Sequence, residues 1–67
     1  MGVKSVLRRL SSGASVLVGN TTYFLILGEL TYYWLDNKGN YHSEEEVASI
    51  CHKKGYTVID EGHRVFF

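Results

Sequence analysis

His42, Cys51, His52 and His63 are the side chains in this sequence best suited to chemistry, as metal ligands or as a thiol nucleophile with an imidazole base. Their spacing serves neither use. Cys51 and His52 are adjacent, so on a helix they diverge by about 100°, and the usual zinc-ligand spacings are absent. Cys51 falls on the apolar stripe of its helix, where a free cysteine behaves as a small hydrophobe; reactive thiols sit exposed among positive charges. The carboxylates group as Glu44-Glu45-Glu46 and Asp60-Glu61, at a helix start and a turn, where solvation explains them better than acid–base work. The seven glycines are scattered over the chain and form no phosphate-binding loop. A chain of 67 residues also leaves little room for a pocket of about 300 Å3 beside its own core. No enzymatic activity, metal or cofactor is expected.

Aromatic residues offer a different chemistry, that of binding. Thr22–Leu27 and Leu30–Leu35 read as strands, and side chains alternate between the faces of a strand. Phe24 and Ile26 then point one way, and Tyr23, Leu25 and Leu27 the other. Leu30, Tyr32 and Trp34 share one face; Tyr33 and Leu35 share the opposite one. A sheet with one wet side would alternate apolar and polar residues. Both faces here are apolar, so both need cover. Tyr and Trp are enriched at interface hot spots, which makes Tyr32, Tyr33, Trp34 and Tyr23 the candidate contact residues for a protein partner or a second copy of the chain. Glu44 and Glu45 are candidates for steering towards a basic partner. The alternative is a stacking platform for single-stranded nucleic acid, with Lys4, Arg8, Arg9 and Lys38 at its rim. The aromatics are interleaved with Leu and Ile instead of Lys and Arg, which favours protein.

The elements that must position these residues follow from local pattern. Val3, Val6, Leu7 and Leu10 mark one face of a short N-terminal helix, with Gly13 as its expected stop. Ala14–Val18 reads as a strand, and Gly19-Asn20 as a two-residue hairpin turn into Thr21–Leu27. Gly28-Glu29 reads as a tight turn, with a bulge in one long strand as the alternative. Asp36-Asn37-Lys38-Gly39 is a turn, and Asn40–His42 a short candidate pairing segment. Ser43 and Glu46 form a capping-box pattern for a helix over 44–54. Its acidic start and its His52-Lys53-Lys54 end suit the helix dipole, and Val47, Ala48, Ile50 and Cys51 form its buried stripe. Tyr56–Asp60 and His63–Phe67 read as a last hairpin around Glu61-Gly62. The order α-β-β-β-(β)-α-β-β predicts a single α+β domain with an antiparallel sheet of four or five strands. Two short helices can cover one face of such a sheet and cannot cover both.

Charge and composition narrow the function classes. The net charge is zero, but residues 1–28 carry +3 and residues 29–67 carry −3. A dedicated nucleic-acid binder usually carries an overall basic field. No apolar run approaches the roughly 20 residues of a membrane span. Ser11-Ser12-Gly13 interrupts any secretory signal, and Val6 occupies the position where N-myristoylation needs Ser or Thr. A lone cysteine suits a reducing compartment, so a cytoplasmic location is expected. Folds this small bury only about 60% of their unfolded surface, and association is a common reinforcement. The expectation is a non-enzymatic protein-binding module that occupies a partner's surface, as a homodimer. Many small regulators and inhibitors share this profile, phage and mobile-element proteins among them.

Overall fold

A computed structural model describes residues 2–63. It is an α+β fold in which one antiparallel five-stranded sheet carries two helices. In chain order the elements are α1 (Val3–Arg8), β1 (Ser15–Val18), β2 (Thr21–Leu27), β3 (Tyr32–Asp36), β4 (Tyr41–His42), α2 (Glu44–Lys54) and β5 (Thr57–Asp60). Across the sheet the strands run β4-β3-β2-β1-β5. α2 therefore takes the chain from one edge of the sheet to the other.

Turn chemistry sets most of this register. Val18 pairs with Thr21 around Gly19-Asn20. Gly19 has φ +61° and Asn20 does not have positive φ, the arrangement of a type II′ hairpin turn. At the β3–β4 turn Asp36 accepts from the Lys38 and Asn40 amides, both at 2.9 Å. Ser43 Oγ then accepts from the Glu46 amide at 3.1 Å and starts α2, and Gly55, at φ +78°, ends it.

Three boundaries differ from the sequence reading. α1 stops at Arg8, because Arg9 and Leu10 donate to carbonyls three residues back, Val6 and Leu7. Gly13 is thus no helix stop; its amide donates to the Leu25 carbonyl at 2.8 Å on the approach to β1. The β2–β3 connection is a turn, as expected, but it spans 28–31: Leu27 pairs with Tyr32, and the Gly28 amide donates to the Thr31 carbonyl at 2.8 Å. Leu30 and Thr31 accordingly belong to the loop, and Leu30 is 99% exposed. Finally, Glu61-Gly62 does not fold back into a hairpin. The Glu61 carbonyl accepts from Ser11, and the His63 amide donates to Ser12, so this segment runs beside residues 11–12. The rest of the expected final strand, 64–67, lies outside the described residues.

Alternation sorts the sheet into two unlike faces. Val16, Val18, Tyr23, Leu25 and Trp34 are buried together with Leu7 of α1 and Val47, Ala48 and Cys51 of α2. Both helices thus pack on one face, and that layer is the core. The opposite face has no helix on it.

Candidate interaction surface

The helix-free face is built from cross-strand pairs. Phe24 stands opposite Leu35 and Ile26 opposite Tyr33, Leu17 stands opposite Thr22, and Leu35 stands opposite Tyr41. Directly opposed residues share a face, so Leu17, Phe24, Ile26, Tyr33, Leu35 and Tyr41 form one continuous apolar surface across four strands. Phe24 is 39% and Tyr41 73% exposed, and the others are half-buried. Tyr33 and Tyr41 meet edge to face with ring centroids 5.1 Å apart. Ser15 and Thr22 complete this face on β1 and β2 and are uncharged; on β5 the face continues through Thr57, opposite Leu17, to the exposed Asp60, opposite Ser15. A contiguous exposed apolar surface of this kind usually marks an interaction site.

The expected contact residues separate between the two faces. Trp34 and Tyr23 lie on the helix-covered face, 2% and 6% exposed. They are core residues, which corrects the expectation that these two side chains contact a partner: α2 and α1 cover the face they occupy. Tyr33, its neighbour, is on the open face. Tyr32 is 52% exposed on the helix side, beyond the reach of the short α1. Glu44 and Glu45 do not form a free acidic patch. Arg8 Nε reaches Glu44 Oε1 at 3.2 Å and Lys4 Nζ reaches Glu45 Oε1 at 3.8 Å. The positive N-terminal part of the chain and the negative remainder meet in these pairs between α1 and α2. The same pairs place Lys4 and Arg8 on the layer away from the open-face aromatics.

An open groove of about 880 Å3 lies where the helices leave the sheet uncovered, between α1, the start of α2 and the β2–β3 loop. This exceeds the size expected of so short a chain; two helices of six and eleven residues do not span a five-stranded sheet. Its walls mix Leu10, Leu27 and Tyr32 with Arg9, Ser11 and Ser12. Cys51 is not among them. It is 1% exposed in the core, and burial pushes its thiol pKa up, away from the thiolate a nucleophile needs.

One polar constellation escaped the sequence reading. His42 Nε2 lies 2.8 Å from Asp36 Oδ2, and its Nδ1 contacts Glu46 Oε2. Two carboxylates, one at each nitrogen, call for two N–H donors and therefore the imidazolium. The hydrogen bond to Asp36, then that to Glu46, raises the His42 pKa. The same bond from His42, then the backbone amide of Asn40, holds the Asp36 carboxyl well below the usual carboxylate range. Tyr23 packs edge-on against the imidazole, centroids 5.2 Å apart. The clamp ties β3, β4 and α2 together. Its carboxylates bind opposite nitrogens of the ring and do not converge on a point, and among the described residues no cluster of His, Cys, Asp and Glu is arranged to hold a metal ion. Nor is any helix of the described residues long and apolar enough to cross a membrane. Comparison with protein-family models, with curated proteins and with solved structures finds no match to this chain.

Proposed function

We propose that this chain is a non-enzymatic binding module, of the small regulator or inhibitor type, that works by laying its open sheet face on another protein surface. One observation carries the reading: a continuous apolar face with Phe24, Tyr33 and Tyr41 on it and no helix over it. Aromatic side chains have few rotatable bonds, so they lose little conformational entropy on binding while burying much area. The single-stranded nucleic-acid alternative gains less support, because Lys4 and Arg8 are paired on the other layer and phosphate contacts supply most of such affinity.

A photoreactive phenylalanine analogue placed at Tyr41, and separately at exposed Lys53 on α2, tests the reading in cells of the source. Protein adducts from position 41 and none from position 53 are expected. Equal labelling from both positions, or none from 41, would overturn it.

A further inference from the structure

We infer that the occupant of the open face is a second copy of this chain, stacked sheet on sheet. The inference rests on the binding-module reading and adds the identity of the partner.

Neutrality is the first argument. The open-face positions on β1, β2 and β3, with Tyr41 of β4, include no Asp, Glu, Lys or Arg. A charged partner patch would be desolvated against this face with nothing to pair it. Two such faces bring no like charges together over these four strands; Asp60, opposite Ser15, lies at the end of the β5 edge, where it is exposed at the rim of the stack. Large and smaller side chains also alternate across it, Phe24 beside Leu35 and Tyr33 beside Ile26, so identical faces can interdigitate at the usual sheet separation of about 10 Å.

The edges supply the second argument. β4 contributes only two residues. β5, at the other edge, shifts register between its pairings with Ser15 and Val16, leaving Ile59 as an extra residue, and ends on Asp60. A short edge and a bulged one both resist strand addition. Association through the face and not the edge closes at two copies, because a two-fold stack consumes the open face of each copy.

Area sets the strength. Strands of 4, 7, 5, 2 and 4 residues, rising about 3.4 Å per residue and about 4.8 Å apart, offer roughly 360 Å2 per copy. Two copies then bury on the order of 700 Å2, short of the roughly 1,000 Å2 of a stable specific interface, which predicts a weak, reversible dimer that forms towards the top of the micromolar range.

Sedimentation equilibrium of the full chain from about 1 to 500 µM tests this. The mass is expected to rise from 7.6 kDa towards twice that value. Phe24→Lys should raise the dissociation constant at least about tenfold, since it buries an unpaired charge. Tyr41→Lys, at a more exposed edge position, should do the same and covers the case in which Phe24→Lys fails to fold by circular dichroism. Leu30→Lys, at the exposed loop off the face, should leave the dimer intact. A wild-type chain that stays at 7.6 kDa throughout overturns the second copy; if position 41 still yields adducts with other proteins, the binding-module reading survives. A dimer unaffected by both face variants overturns the stacked-face inference, and the adducts from position 41 then decide the binding-module reading separately.

Discussion

The Asp36 carboxylate and the His42 imidazole join β3 to β4 from the core side of the sheet, Oδ2 to Nε2 at 2.8 Å. Asp36 is only 8% exposed and uses its other oxygen for the turn amides of Lys38 and Asn40. His42 passes the contact on to Glu46, so the edge of the sheet and the first turn of α2 share one charge system.

Stability should therefore depend on pH in a defined sense. The His42 pKa is raised in the folded chain, so its contribution is complete below its unfolded value of about 6.5 and is lost as pH rises through the folded value. Asp36 is shifted the other way; its contribution is present above the ordinary carboxylate value of about 3.9 and is lost as pH falls through the lowered one. The melting temperature by circular dichroism should peak between about pH 4 and 6.5 and decline on both sides. His42→Gln should flatten the alkaline decline. An unchanged alkaline slope in that variant would assign the decline to other groups.

Trp34 reports the core directly, since it is the single tryptophan and is 2% exposed. Its emission should be blue-shifted in the native chain, resist acrylamide, and move to the red on unfolding. Trp34→Ala should cost about 3–5 kcal/mol, enough to unfold much of a small domain, whereas Tyr41→Ala, at 73% exposure, should cost less than about 1 kcal/mol. Comparable losses from both, by urea titration, would contradict the assignment of faces.

These two sites show what could be read from the sequence and what could not. Turn and cap residues act locally, so Gly19, Asp36, Gly39 and Ser43 revealed their elements. The same held for the alternation that put Tyr33 and Leu35 opposite Trp34. With both faces apolar, however, alternation gives no sign of which face the helices take, so it does not tell whether Trp34 or Tyr33 faces outward. The clamp depended on register. His42 lies opposite Trp34, which brings it beside Asp36 only once the hairpin is formed. Glu46 looked like the reciprocal half of a capping box. Its amide does donate to Ser43 Oγ, but its carboxylate goes to His42. The spacing of His42 just before the cap and Glu46 four residues later was the available signal.

Cys51 should behave as an enclosed side chain. At 1% exposure and with its pKa raised by burial, it should react with an aromatic disulfide reagent at a rate set by opening of the fold. In denaturant the reaction should be immediate. Stoichiometric labelling of the native chain within seconds would show an accessible thiol and reopen the nucleophile reading.

Gly62 holds the return of the chain past α1. It has φ +82°, and a Cβ there would stand 2.2 Å from the Ser11 carbonyl oxygen, within the segment where Ser11 donates to Glu61 and His63 donates to Ser12. Any side chain must push these two backbones apart. Gly19 provides the comparison, because it also has positive φ, +61°, but a Cβ there meets nothing within 4 Å. Gly19→Ala should thus cost only the left-handed backbone penalty, about 1–2 kcal/mol. Gly62→Ala should cost that plus the clash, about 3 kcal/mol or more. Urea titrations of the two variants isolate the difference, and equal costs would mean that residues 11–12 yield freely to the added methyl group.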